Sequence, residues 1–306
     1  MRRLRLFPVT VILVSFGLLT ACASHDKTLP PAFADIHLHY NWDHSEYIST
    51  QEVLEKLQQN NVVLGVVSSV PSDYAGRLAA AAPEWIVALF SPYYQTGNRH
   101  NWFFDEGVVT AARQALANGN YAGLGEIHLV AGLGPRRDNP VFLGLVALAM
   151  EYQVPMLLHT DASSYRYLLP ICKQYPQLKI LWAHAGGILP PSQLTALLAE
   201  CDNVWLDLAA RDPWHYGEFV DEQGMLEMEW KQFIINNQDR IMVGTDPVWN
   251  AHQMYRWYEA DQGWNHYEQL LQYHHNWISQ LPAPVQNKLR LTNAQRYFGR
   301  RGRETE

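Results

Sequence analysis

Short apolar segments alternate along the chain with stretches that place apolar residues at every third or fourth position. The apolar segments are rich in β-branched residues and apolar on both faces, which is typical of strands in a covered parallel sheet. They cover residues 33–40, 62–70, 85–92, 121–130, 154–161, 178–185, 204–210 and 241–248. Stretches between them have the spacing of amphipathic helices. Clear examples are residues 49–59, 108–118 and 192–201.

This alternation predicts an α/β fold with a single (β/α)₈ TIM barrel. Eight strands, each followed by a helix, over about 270 residues match that barrel in number and size. The alternative is an open doubly wound sheet, but no glycine-rich phosphate-binding sequence follows the first strand. The 306 residues, 48% of them hydrophobic, suffice for one large domain, which we place at residues 33–306.

The amino-terminal residues differ from the rest of the chain. Three arginines precede an apolar run from Leu6 to about Leu19, which is typical of a secretory signal and short for a membrane span. The following "LTAC" resembles the lipobox of bacterial lipoproteins, and this resemblance implies lipidation of Cys22. An ordinary signal peptide cut near Ala21 or Ala23, or an uncleaved anchor, is the alternative.

The lipoprotein resemblance divides the chain into a signal peptide at 1–21, a tether at 22–32 and the barrel. It implies a cell-envelope protein held by its lipid on the periplasmic face. In a Gram-negative cell the membrane is then the outer membrane. The lipid anchor is the only membrane contact that we predict.

Net charge argues against a nucleic-acid partner. The full chain has a formal net charge of −7, and removing the three arginines of residues 1–21 makes it −10. Such a surface repels polyanions, so we predict no nucleic-acid partner. The short basic tail "GRRGR" at 299–303 is expected to be a solvated end.

Cys172 and Cys201 are the other cysteines besides Cys22. They are able to pair in an oxidising compartment. Because both fall in predicted helices that follow different strands, we expect two buried thiols.

Metal-binding side chains stand at the ends of several predicted strands. In "FADIHLHY", His37 and His39 share one face of the first strand because strand side chains alternate. Burying two adjacent imidazoles is costly without partners, and a metal ion is one such partner. An exposed pair or hydrogen-bonded core histidines are the alternatives. The motifs "GLGEIHL", "LLHTD", "WAHAGG" and "VGTDP" end four further strands and supply Glu126, His128, His159, His184 and Asp246. Because the carboxyl ends of barrel strands meet at one face, these residues predict a metal site there.

The ordered set resembles the amidohydrolase superfamily of metal-dependent barrels. Its matching members are His37, His39, His159, His184 and Asp246. The "HAGG" at 184–187 and "LTNAQRYFG" at 291–299 resemble the amidohydrolase-related branch, which also contains decarboxylases and lactone hydrolases. Many members carry a lysine on the fourth strand. Here "GEIH" resembles instead the "GEIG" of TatD-like hydrolases, with His128 in place of the glycine.

The resemblance implies one or two divalent ions, with zinc as the default, although manganese, iron and nickel accept similar ligands. The ligands of a one-ion site are His37, His39, His159 and Asp246, with His184 acting on substrate or water. In a two-ion site Glu126 bridges: His37, His39 and Asp246 hold one ion, and His159 and His184 hold the other. Either arrangement activates a water molecule, with Asp246 as general base and then acid.

The loops after the strands are rich in aromatic residues and predict a partly aromatic pocket for a small molecule. The predicted substrate contacts are His128, Trp42, Arg211 and Trp249. Asp35 is expected to be structural, whereas Asp207 either supports a ligand or packs as a carboxylate. Most histidines outside the strand ends, His215 among them, are expected to be surface or satisfied polar residues.

The sequence therefore predicts a metal-dependent hydrolase acting on a small-molecule amide, lactone or ester. The alternatives are a TatD-like phosphoester or nucleic-acid hydrolase, a decarboxylase of the same fold, and a metal-binding lipoprotein without catalysis. The sequence predicts no oligomeric state.

Overall fold

A computed structural model of the chain describes residues 29–95, 100–129, 134–160, 164–217, 219–248 and 261–304. The strands are β1 (Phe33–His39), β2 (Val62–Ser68), β3 (Ile86–Ala88), β4 (Leu124–His128), β5 (Pro155–His159), β6 (Lys179–Trp182), β7 (Val204–Asp207) and β8 (Ile241–Met242). The helices are α1 (Thr50–Gln59), α2 (Asp73–Ala81), α3 (Gly107–Ala117), α4 (Pro140–Glu151), α5 (Leu169–Gln174), α6 (Pro191–Glu200), α7 (Met228–Asn236), α8 (Tyr267–Ile278), α9 (Ala283–Asn287) and α10 (Asn293–Phe298).

All strand pairs are parallel, in the orders β1-β2-β3 and β4-β5-β6-β7-β8. Backbone hydrogen bonds connect the two sheets at both edges. Phe90, just after β3, donates its N–H to the carbonyl of Gly123 at 2.9 Å. Ile36 of β1 donates to the carbonyl of Val243, just after β8, at 3.3 Å. The prediction of an α/β barrel fold is confirmed.

The core has two parts, as expected for a barrel wrapped by helices. Ile36, Leu64 and Leu181 belong to a buried cluster on the inner face of the strands. A larger buried cluster lies between the strands and the helices. At the end of the barrel where the strands begin, Tyr297 and Phe298 of α10 pack against the inner cluster. The carboxyl-terminal segment therefore closes that end, which leaves the opposite end for a site.

Helix starts follow from local sequence. Ser49 and Glu52 form a capping box at α1, where the Ser49 hydroxyl accepts the Glu52 N–H and the Glu52 carboxylate accepts the Ser49 N–H. The Asn139 side chain accepts backbone N–H groups at the start of α4, where Pro140 takes the first position. The predicted strand at 241–248 is shorter in the structure, where β8 ends at Met242. Val243 and Asp246 keep backbone hydrogen bonds to β1, and Asp246 adopts a left-handed φ of 53°.

The expectation of two buried thiols is wrong. Cys172 and Cys201 form a disulfide, with their Cα atoms 5.9 Å apart. Cys172 lies in α5 and Cys201 directly follows α6, and these two helices contact each other. The packing of α5 against α6 brings the two cysteines together, whereas the sequence pattern alone placed them in helices that follow different strands.

The predicted signal peptide, Cys22 and residues 22–28 of the predicted tether lie outside the described residues. Among the helices that the structure describes, none combines the length and the apolar character needed to cross a bilayer.

Candidate metal centre

The six predicted ligands meet at the end of the barrel where the strands finish. Three groups each have one ligand atom per residue, all within 4.8 Å of one another. The groups are His37–His39–Asp246, His37–Glu126–His184 and Glu126–His128–His159. Overlap between the groups makes one connected cluster, whose members are buried except for the partly exposed His128.

The spacing within the first group fits an ion. The Nε2 atoms of His37 and His39 are 3.1 Å apart, and His39 Nε2 is 3.3 Å from Asp246 Oδ1. His37 Nε2 is 3.9 Å from the same oxygen. Ligand atoms about 2.0–2.2 Å from a tetrahedral zinc lie about 3.3–3.6 Å from one another. The three atoms therefore need only small shifts to share one ion.

Hydrogen bonds on the far side of the rings fix which nitrogens face the cluster. His39 Nδ1 donates to the carbonyl of Ser68 at 3.1 Å, and His184 Nδ1 donates to the carbonyl of Ala209 at 3.0 Å. Because a carbonyl only accepts, Nδ1 carries the proton and the neutral ring keeps its lone pair on Nε2. Partners of this kind orient metal-binding histidines.

Asp207 performs the same function for His37. Its Oδ2 lies 2.5 Å from His37 Nδ1, and its Oδ1 accepts the Ala209 N–H at 2.7 Å. The sequence left two roles open for Asp207, and this geometry favours support of His37. With Nδ1 so engaged, the 3.1 Å contact between His37 and His39 needs a proton or a cation between the two Nε2 atoms, since two lone pairs repel.

Asp35 does not face the cluster. Its carboxylate accepts from the Thr245 N–H and hydroxyl at 3.0 and 2.7 Å and from the Tyr267 hydroxyl at 3.0 Å. Burial raises the pKa of Asp35 to about 6, against the lowering effect of these hydrogen bonds. The residue ties β1 to the segment after β8, which agrees with the structural role expected for it.

Glu126 lies between several imidazoles. Its Oε1 is 2.7 Å from His159 Nδ1 and 3.4 Å from His184 Nε2, while its Oε2 is 3.4 Å from His39 Nε2. The Ser68 hydroxyl holds this part of β4 by accepting the Glu126 N–H at 2.6 Å. Glu126 therefore contacts imidazoles from several strands through both of its oxygens.

Charges inside the cluster balance one another. Burial alone would raise the pKa of Glu126, but His128, His159 and His37 hold it well below its usual range. Burial would lower the pKa of His37, but the carboxylates of Asp207, Asp246 and Glu126 raise it well above its usual range. The buried carboxylates thus favour positive charge within the cluster, which a divalent ion is able to supply.

Asp246 gives the clearest test of whether a cation fits. Its Oδ1 is buried and has no hydrogen-bond partner among the described residues. Its N–H donates to the His37 carbonyl at 2.9 Å, which holds the residue against β1. This close approach requires Gly244, because a Cβ there would lie 2.6 Å from the His37 backbone nitrogen. A buried carboxylate oxygen without a donor, beside inward-facing imidazoles, fits a cation.

The predicted substrate contacts have different surroundings. His128 Nδ1 lies 2.6 Å from the Tyr93 hydroxyl, which also accepts the His128 N–H, and the His128 side chain is 24% exposed. Trp42, in the loop after β1, is 46% exposed. Trp249 lies outside the described residues. His128 and Trp42 therefore remain accessible to a ligand.

Arg211 is buried, in contrast to the substrate clamp that the sequence suggested. Its Nε donates to the carbonyl of His184 at 2.9 Å, and its Nη2 donates to the carbonyl of Leu189 at 2.8 Å. The guanidinium also lies 5.0 Å from the centre of the Trp230 ring. These contacts make Arg211 a support of the loop that presents His184.

The loop after β7 carries features that the sequence reading missed. The Tyr216 ring lies 5.0 Å from the His184 ring, and His215 Nδ1 lies 3.0 Å from both carboxylate oxygens of Asp212. The side chain of His215 is only 9% exposed, so it is not a surface histidine. The motif "RDPWHY" follows a strand end, and this position was the available signal.

A comparison with protein families agrees with this geometry. The amidohydrolase family model matches residues 34–300. The chain belongs to the amidohydrolase family. The predicted superfamily is thereby confirmed, whereas the TatD-like and lipoprotein features stay predictions. No curated protein matches the sequence.

Solved structures share the fold of this amidohydrolase. A probable 2-pyrone-4,6-dicarboxylic acid hydrolase from Acinetobacter baumannii has 14% identity and a TM-score of 0.57, covering 87% of this chain and 99% of its own. A 5-carboxyvanillate decarboxylase from Novosphingobium aromaticivorans with manganese has 11% identity and a TM-score of 0.54, covering 88% and 96%. A zinc-bound amidohydrolase from Burkholderia multivorans has 14% identity and a TM-score of 0.50, covering 88% and 99%. At these identities the likeness shows the fold alone.

Proposed function

We propose that this amidohydrolase is a metal-dependent hydrolase that cleaves an amide, lactone or ester bond of a small molecule. The observation that carries the proposal is the inward convergence of imidazole Nε2 atoms on the donor-free Asp246 Oδ1. Structural packing alone gives no reason to bury Asp246 Oδ1 without a donor beside two imidazoles whose Nε2 atoms face each other.

The residues that would hold the ion are His37, His39, Asp246 and, from the opposite side of the barrel, His159 and Glu126. Zinc is the default because these imidazole and carboxylate donors suit it. When bound, a divalent ion lowers the pKa of a coordinated water to about 7 and polarises a carbonyl oxygen. The two oxygens of Glu126 contact different imidazoles, which supports its use as a bridge if two ions bind.

The chain's own residues supply the proton transfers. Asp246, buried beside the imidazoles, is the proposed general base, which then returns the proton to the leaving group. His184 Nε2 lies 3.8 Å from Asp246 Oδ2, close enough to share a water or a substrate oxygen with it. Ala209 and Arg211 fix the ring and backbone of His184, so its position does not depend on the substrate.

Charge at this end of the barrel favours a small substrate over a polyanion. Among the described residues of the loops that follow the strands, eight Asp or Glu residues and three arginines are at least partly exposed. Such a surface repels a phosphodiester backbone, which argues against the TatD-like alternative.

The test compares metal-depleted and metal-reconstituted protein on lactones, esters, amides, phosphodiesters and DNA. Metal-dependent incorporation of solvent oxygen into a carbonyl-derived product supports the proposal. This incorporation should be lost in His37→Ala. It should be kept in the control His100→Ala, which removes an exposed histidine outside the cluster. Robust DNA cleavage would favour the phosphoester alternative. An absence of turnover at every bond type, with metal bound, would favour the metal-binding lipoprotein.

A decarboxylase is the second candidate, because a decarboxylase with bound manganese has the same fold. The two chemistries differ in what leaves the site. Carbon dioxide release without incorporation of solvent oxygen would identify the decarboxylase, so the same assays measure both.

We also propose that the protein is lipid-anchored at Cys22 on the periplasmic face of the cell envelope. The lipobox-like "LTAC" supports the anchor. The disulfide between Cys172 and Cys201 supports an oxidising compartment, since such bonds are rare in the cytosol. The intact mass of the mature protein tests this directly, because lipidation adds diacylglycerol and acyl chains to a chain that starts at Cys22.

A further inference from the structure

The two ends of the barrel carry opposite charge. We define the amino-terminal face as the turns that precede the strands, with Lys179 at the start of β6, and residues 279–304 after α8. Within the described residues this face contains eight lysines or arginines and four acidic residues, although the whole chain has a net charge of −7. The loops at the other end are acidic, as described above. The molecule therefore has a strong electrostatic polarity along the barrel axis.

The basic tail at 299–303 is fixed to this face, in contrast to the solvated end expected from the sequence. The Arg303 N–H donates to the carbonyl of Val63 at 2.8 Å, and its Nε donates to the carbonyl of Val62 at 3.0 Å. Its guanidinium lies 5.8 Å from the centre of the Trp85 ring. Arg300 and Arg301 stand exposed just before it. Two cations are thus held at a fixed place on the amino-terminal face.

The chain enters the barrel at the same face. Asn61, just before β2, donates its side-chain N–H to the carbonyl of Pro30 at 2.8 Å and accepts the Phe33 N–H at 3.1 Å. The seven steps of chain from Cys22 to Leu29 span at most about 25 Å. A domain of this size is about 50 Å across. A lipid on Cys22 would therefore keep this face near the bilayer and turn the metal centre away from it.

We propose that the amino-terminal face is a docking surface for anionic phospholipid headgroups, with Arg300 and Arg301 as its main contacts. The proposal depends on the lipid anchor and not on the hydrolase activity. Each arginine near an anionic membrane increases the equilibrium constant for contact with the membrane surface about fivefold. Screening limits this attraction to about 8 Å at physiological salt. A tether of at most about 25 Å allows the fixed tail to come within that distance of the bilayer. The acidic loops at the opposite end are repelled by the same membrane, so both ends favour one orientation.

The experiment uses the full-length lipidated chain in vesicles of pure phosphatidylcholine or with added phosphatidylglycerol. Hydrogen exchange of the backbone amides at 299–304 should slow at least about threefold on the anionic vesicles. High salt should remove this difference. The R300Q/R301Q variant should lose the protection. The matched R136Q/R137Q variant lowers the charge equally, in the loop after β4 at the opposite end, and should keep it.

Three results would overturn the proposal. They are equal exchange at 299–304 on both vesicles, protection of the loops around the metal centre instead, and equal protection in the two double variants. A mature chain that has lost residues 1–21 without gaining a lipid would overturn it as well. None of these outcomes changes the result expected from the hydrolase assay, so failures of the two proposals are distinguishable.

Discussion

Replacing Asp207 with asparagine removes one acceptor from the support of His37. In the structure both carboxylate oxygens accept: Oδ2 faces His37 Nδ1 at 2.5 Å, and Oδ1 faces the Ala209 N–H at 2.7 Å. An asparagine has one carbonyl oxygen, so its amide group must face one of these two donors. If the amide NH₂ faces His37, the imidazole loses the hydrogen bond that directs its Nε2 lone pair toward the ion.

The size of the effect follows from the geometry. The lost contact is a short, charge-assisted hydrogen bond between fully buried groups, and such bonds contribute about 1.5–3 kcal/mol. Changes to the partners of metal-binding histidines typically lower metal affinity about 10- to 100-fold, which corresponds to about 1.4–2.7 kcal/mol. The two free energies agree, so we expect Asp207→Asn to lower the affinity for zinc about 10- to 100-fold.

Competition for zinc against a chromophoric chelator at pH 7.5 measures this change. Asp202→Asn is the matched control, because Asp202 is an exposed carboxylate in the turn before β7 and lies far along the strand from the site. A zinc affinity in Asp207→Asn equal to that of the control would refute the account of how His37 is oriented.

Three further outcomes concern stability. Replacing the disulfide with C172S/C201S should lower the unfolding free energy by about 3.6 kcal/mol in urea titrations, because the bond closes a loop with a sequence separation of 29. Burial lowers the pKa of His274 to about 4. The unfolded chain therefore binds this proton below about pH 6.5 and the folded chain only near pH 4. Stability therefore decreases as the pH is lowered, by about 2 kcal/mol from His274 alone on going from pH 7 to pH 5. His274→Asn should reduce that fall. Gly244→Ala should cost about 1–3 kcal/mol in urea titrations and weaken zinc binding, because its Cβ would meet His37. An unchanged unfolding free energy in C172S/C201S or in Gly244→Ala, or an unchanged fall in stability between pH 7 and 5 in His274→Asn, would contradict the corresponding argument.

Much of the fold was predictable because its signals are local and repeated. Alternating apolar strands and amphipathic helices indicate a covered parallel sheet whatever the detailed packing. The same topology indicated that His37, His159 and Asp246 meet at one end of a barrel, whereas the assignment of ligands came from the resemblance to the amidohydrolase superfamily and stays a prediction. Glu126 stood out because a carboxylate at a strand end has no structural partner in the local sequence.

The remaining features depend on packing between segments that are distant in sequence. Cys172 and Cys201 pair because α5 and α6 lie side by side, which no pattern in either helix specifies. Arg211 supports a loop because three backbone carbonyls converge on it, and carbonyl positions cannot be read from side-chain types. The burial of His215 beside Asp212 likewise depends on how the loop after β7 folds back.

Metal content tests the central claim most directly. Full-length protein purified without chelator and then loaded with zinc should hold about one or two ions per chain by elemental analysis. A count of two supports the bridging position of Glu126. The double variant H39A/D246N should lose the ion bound by the first group, while His100→Ala should keep the wild-type content. Protein that holds no zinc after loading, or a double variant that keeps its full content, would contradict the metal centre and the enzyme proposal with it.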